Sequence, residues 1–252
     1  MASAPNPNRP GIGETIFAAG SLVHGHPALL ASWLILGLAG GIILHLISSP
    51  EPVLSWGLLA FIPYGLAAIF ISAGYMGSLH LILKLGGWSP VAVIECGRHY
   101  FLRFFLLGLI QGSITIVIPV LIGFLALLAA GQFHRIFFIL PLLPLLPGLV
   151  VLNFFLTFAR AGVVVKEKGV FKAIAYSFRV VWSNFLPTLV FLLVFFGVPF
   201  LFSFLVGKLY GAGLELLRKF FTTLLTAYGH LLLMAALVYF AAEIDRSPEE
   251  EI

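Results

Sequence analysis

The chain has 252 residues, of which 61% are hydrophobic and only 10% charged, and its mean hydropathy is +1.11. Soluble domains carry about 25% charged residues, so a soluble globular chain is excluded, and several apolar runs exceed the ~20 residues that cross a bilayer as a helix. The net charge of +4 lies beside those runs, which points to anionic lipid headgroups and away from nucleic acid. Cys96, the single cysteine, rules out an intrachain disulfide and cysteine-based zinc or redox motifs.

In chain order, residues 1–11 read as a small, polar, proline-rich tail without the features of a cleavable signal. A thin apolar stripe, Ile12, Ile16, Gly20 and Val23, precedes the first predicted span at 27–48. Further predicted spans cover 54–83, 104–130, 136–160, 186–207 and 220–242. Residues 247–252 form an acidic tail. The expected fold class is an all-α integral membrane protein, a single domain over 12–246 with six transmembrane helices and interfacial amphipathic helices.

Lys and Arg positions orient this arrangement. Arg9, Lys84, Arg98, Arg103, Arg160, Lys166, Lys168, Lys172, Arg179 and Arg246 fall on one side, whereas Arg135, Lys208, Arg218 and Lys219 fall on the other. Both termini are therefore expected on the cytoplasmic side of a cell membrane.

The richest of these cationic stretches also repeats as a helix. Phe171, Ile174, Phe178, Val181, Trp182 and Phe185 follow i, i+3, i+4 spacing, and Lys172, Tyr176, Arg179 and Ser183 form a second stripe. An aromatic face beside a basic one is the pattern of a helix lying in the membrane interface. The lipid-contacting set is expected to be Arg98, Arg103, Lys166, Lys168, Lys172, Arg179 and Trp182.

Residues 89–105 align with this stretch at a shift of 81, placing Arg98 on Arg179, Phe101 on Trp182 and Phe104 on Phe185. "IPVLIGF" (118–124) meets "VPFLFSF" (198–204) at a shift of 80, pairing Pro119 with Pro199. With 13–26 as a weaker third copy, the chain divides into parallel units at 12–86, 87–168 and 169–246, each an interfacial helix followed by a transmembrane hairpin.

The run "ARAGVVVKEKGVFKAIAYSFRVVWSNFLPTLVFLL" (159–193) carries Glu167, Gly169, Val170, Ala173, Ser177, Arg179 and Asn184-Phe185 in a recognisable order. With the ending "LVYFAAEIDR" (237–246), it resembles a group of prokaryotic polytopic membrane proteins that includes the membrane domain of some glycerophosphoryl diester phosphodiesterases. The resemblance implies a membrane architecture. It does not carry over the phosphodiesterase activity, because nothing in the chain resembles that soluble catalytic domain.

Several polar or helix-breaking residues fall inside predicted spans. Pro63, Pro119, Pro141, Pro144, Pro147 and Pro199 are expected to shape helices, with Pro119 and Pro199 as hinge candidates. His230 lies halfway along the last span and is expected to hydrogen-bond Thr226, one turn back. Asn153 and Gln111 are expected to bond between helices. The His24–His26 pair is a weak metal signal, and Glu95, Arg98, His99 and Arg103 read as a charge ladder on a wet face.

No nucleotide-binding loop, nucleophile elbow or zinc-protease motif is present, so no enzymatic activity, cofactor or metal is expected. The reading that follows is a non-enzymatic envelope protein engaging anionic lipids, a protein partner or a second copy of itself. The alternative is a transporter or channel for a small solute or lipid. A cavity at mid-membrane depth lined by His230 or Asn153 discriminates between them.

Overall fold

A backbone in hydrocarbon must satisfy its own hydrogen bonds, and a helix does so within a single segment. The computed structural model describes residues 11–47, 54–114, 124, 145–209 and 215–243, and all their regular structure is helical. The elements are α1 (Ile12–His24), α2 (Pro27–Ile47), α3 (Leu54–Leu85), α4 (Pro90–Gly112), α5 (Leu145–Leu156), α6 (Ala159–Val165), α7 (Val170–Ser183), α8 (Phe185–Leu209) and α9 (Glu215–Glu243).

Two stretches, Ile62–Leu85 of α3 and Phe220–Glu243 of α9, are long and apolar enough to cross a membrane. The number rises to four if the pairs α1–α2 and α7–α8, bent by 90° and 99°, each count as one broken span. Six spans are thus not reached among the described residues. Residues 115–123 and 125–130 of the predicted span 104–130, and 136–144 of the predicted span 136–160, fall outside those residues, as do Pro119, Pro141, Pro144 and most of the 118–124 motif. So do the tails at 1–10 and 247–252.

Three helices share a local design. α1 starts after Gly11, whose N–H donates to Glu14 Oε2 at 2.8 Å. α4 starts after Ser89, whose Oγ accepts from Val91 N at 3.2 Å, with Pro90 in the first turn. α7 starts after Gly169. Eight residues beyond these N-caps stand Ala19, Gly97 and Ser177, each small and buried. Sixteen residues beyond the first and third N-caps, Pro27 and Phe185 begin α2 and α8 after the sharp bends. The α4 chain runs through the corresponding point unbroken.

Each of these helices packs on a neighbouring helix: α4 on α3, α7 on α6, and α1 on α9. Small residues permit the close approach. A Cβ on Gly74 of α3 would fall within 2.3 Å of the Val93 carbonyl oxygen in α4, and one on Gly37 of α2 would lie 2.6 Å from Ala227 Cβ in α9. Trp33 Nε1 reinforces the α2–α9 contact by donating to the Ala227 carbonyl at 2.7 Å.

The stripes of α7 differ from those expected. Its packed face is Ala173, Tyr176, Ser177, Val180 and Val181, whereas Phe171, Phe178 and Trp182 are exposed alongside Lys172 and Arg179. Tyr176 therefore leaves the polar stripe, and its hydroxyl donates to the Ala241 carbonyl at 3.5 Å. In α1 the packed residues are Thr15, Ala19 and Val23, so only Val23 of the expected stripe is among them.

The stretch predicted as a continuous span up to 160 breaks at Thr157–Phe158, between α5 and α6. Ser177 closes the break: its Oγ donates to the Phe155 carbonyl at 2.6 Å and accepts from Phe158 N at 2.9 Å. α6 ends at Val165, and Glu167, two residues on, has a φ of 48°, the left-handed conformation that stops a helix.

Candidate functional site: a cavity between the helices

Asn153, Thr157 and Arg160 are spaced by four and three residues, so they share one wall across the α5–α6 break. Thr157 Oγ1 donates to the Asn153 carbonyl at 3.2 Å, which anchors the strip through the break. Gln111, from α4, extends it: its Nε2 donates directly to Asn153 Oδ1. Leu189, Leu192 and Leu193 of α8 line the same space with His230, Leu233, Met234 and Leu237 of α9.

The cavity, partly open to the outside, measures about 770 Å³, within the ~300–1,000 Å³ typical of small-molecule sites. A second cavity of about 190 Å³ is lined by Ala68, Ile69, Ser72, Phe104 and Arg160. Ser72, Phe104 and Arg160 line both, so the arginine stands where the two spaces adjoin. No carboxylate lines either cavity among the described residues, and none of those residues accepts a hydrogen bond or ion pair from Arg160.

His230 does not bond Thr226 among the described contacts. Its ring stands edge-on to Trp33, with centroids 5.8 Å apart and planes at 89°. Trp33 is fixed in turn by its bond to the Ala227 carbonyl and by edge contact with Tyr75 at 4.7 Å. Tyr75 donates to Ser32 Oγ at 2.6 Å. The imidazole is thus held by packing on one side and left open to the cavity on the other.

The structure brings Gln111, Asn153 and His230 to one site, and it leaves the seven interface candidates away from that site. Arg98, Lys172, Arg179 and Trp182 are exposed, the tryptophan by 77%. Arg103 Nη1 donates to the Glu167 carbonyl at 3.3 Å, tying α4 to the end of α6. Lys166 is half-buried, and Lys168 Nζ lies 4.2 Å from the centre of the Tyr176 ring, a cation–π contact. Pro199 falls within α8, and Pro119 lies outside the described residues.

His24 and His26 place their Nδ1 atoms against the Gly20 and Leu22 carbonyls at 2.8 and 2.9 Å. No group of three metal-ligating side chains occurs among the described residues.

Arg160, Thr157 and Ser72 are site residues that sequence reasoning did not assign. Arg160 was grouped with the cytoplasmic cations, yet it lines the cavity interior. Its signal was local: it is an isolated cation within "FLTFARAGVVV", apolar on both sides. No family model matches the chain, and no curated protein or solved structure is significantly similar to it.

Proposed function

We propose that the protein is a six-span transporter of the cell membrane that takes a small solute or lipid into the cavity between its helices. The observation supporting this is the convergence of Gln111, Asn153, Arg160 and His230, from four helices, on one cavity of about 770 Å³. Polar groups inside a membrane bundle are costly and mark substrate pathways. We read the site as one for binding, because its lining among the described residues is mostly apolar with a few amide, hydroxyl and cationic groups.

α1, α4 and α7 are read as the leading helices of three parallel units that begin at successive N-caps, with both termini cytoplasmic. Equal burial at the eighth position and equal placement of two bends support this reading. In that arrangement a central cavity lies between units, as in repeat-built transporters. The likeness of 159–193 to membrane domains accompanying phosphodiesterases is compatible with a lipid as the transported species.

Thiol accessibility tests the transport reading. In a Cys96→Ala background, a cysteine replacing Asn153 is expected to react with a small membrane-impermeant thiol reagent in intact vesicles. A cysteine at position 182 serves as the exposed control. Labelling at 182 with none at 153 from either face would remove the solute pathway.

A second reading, an envelope protein that engages anionic lipids, a protein partner or another copy of the chain, is favoured by one observation. α7 displays Phe171 and Trp182 beside Lys172 and Arg179, all of them exposed. The two readings are compatible, because the basic helices would gather the lipid that the cavity receives.

A further inference from the structure

We infer that Arg160 anchors the anionic head of a single-chain amphiphile, a carboxylate or a phosphate monoester, whose tail lies against the apolar wall of the cavity. This rests on the cavity being a ligand site, as proposed above, and adds the chemical class of the ligand.

The argument begins with the charge. Arginine remains protonated in proteins, so burial cannot neutralise it by deprotonation. Among the described residues no acceptor meets its guanidinium, and no carboxylate lines either cavity it borders. An ion removed from water without a counter-charge is costly, and an incoming anion relieves that cost. The planar fork of donors matches a carboxylate or phosphate with two parallel hydrogen bonds.

The rest of the lining selects against a small inorganic anion. The wall formed by α8 and α9 presents Leu189, Leu192, Leu193, Leu233, Met234 and Leu237. A free hydrated anion would leave this surface facing water, whereas an acyl or alkyl chain covers it. Gln111, Asn153 and Thr157 are joined by hydrogen bonds and line the same cavity as the arginine, so the site offers polar groups as well as an apolar wall. The volume suits one chain with its head.

The test measures binding to purified full-length protein in a non-ionic detergent. The probes are a long-chain fatty acid, its methyl ester, the alkyl phosphate of equal chain length, and inorganic phosphate. Wild type is expected to bind both amphipathic anions roughly ten- to hundredfold more tightly than the ester, the worth of one charge-assisted hydrogen bond. Inorganic phosphate should compete weakly. Arg160→Gln should erase the preference while leaving ester affinity unchanged, and Arg160→Lys should retain part of it.

Equal binding of acid and ester by wild type overturns the anion anchor while leaving the cavity reading intact, and that comparison requires no variant to fold. Failure to bind any chain-bearing probe overturns the cavity reading itself. Inorganic phosphate binding as tightly as the alkyl phosphate would replace the amphiphile with a free anion. The ranking of fatty acid against alkyl phosphate identifies which head the site prefers.

Discussion

Ser177 is small enough to enter the break between α5 and α6 and polar enough to close it. Its hydroxyl is shared between the Phe155 carbonyl and the Phe158 amide, two backbone groups whose helical partners the break removes. Ser177→Ala is expected to cost about 2 kcal/mol of stability, because a buried donor and acceptor would both lose their partner. The measurement is the unfolding midpoint in detergent, followed by circular dichroism. An unchanged midpoint would mean that the break is held by packing alone. The break also sets the direction of the Arg160 backbone, so the same variant should weaken the acid-over-ester preference. The serine was visible in the sequence as part of a familiar segment, but its role was not. Its partners lie 19 and 22 residues away, beyond any local pattern.

At the scale of a single element, α7 explains where periodicity succeeds and where it misleads. The i, i+3, i+4 recurrence of residue types predicted a helix after Gly169, and Val170–Ser183 is one. Its faces were assigned on the rule that apolar residues pack inward. Beside lipid that rule weakens, because hydrocarbon is as apolar as any core and close packing favours small residues. Ala173 and Ser177 therefore face the protein while Phe171 and Trp182 face outward. The basic stripe retains only its exposed members. Lys172→Glu combined with Arg179→Glu is expected to lower affinity for anionic over neutral vesicles, at about 1 kcal/mol per charge removed and more per charge reversed. Co-flotation of the purified protein with vesicles of each composition reads this directly. If the double reversal leaves the preference intact, the exposed cations of α7 serve topology and not lipid contact.

For the whole molecule, the membrane class was legible in composition, and the two stretches long and apolar enough to cross a membrane, Ile62–Leu85 and Phe220–Glu243, overlap the predicted spans 54–83 and 220–242. The cavity was not legible. Gln111, Asn153 and His230 each looked like an isolated polar residue, and Arg160 looked like a loop cation. Only tertiary packing brings α4, α5, α6 and α9 around one space. Packing also closes the fold on itself, since α1 rests on α9 and His24 Nε2 lies 3.2 Å from the Tyr228 hydroxyl. Removing residues 2–25 is therefore expected to expose the packed flank of α9 and to abolish a monodisperse species in size-exclusion chromatography. An α1 peptide supplied in trans should bind the truncated chain. A truncated protein that remains monodisperse and retains cavity binding would show α1 to be dispensable.

The α1–α9 contact has a consequence in time. Synthesis runs from N- to C-terminus, so α1 is complete long before the α9 surface on which it rests. The residues that meet, His24 and Tyr228, are 204 positions apart. Until α9 emerges, Thr15, Ala19 and Val23 have no α9 to cover them, and the right-angled joint at Gly25–His26 sets α1 crosswise to α2. Assembly then closes as a clasp, with α1 locking onto α9. Synthesis stalled before α9 should leave α1 open to protease, and completed synthesis should protect it.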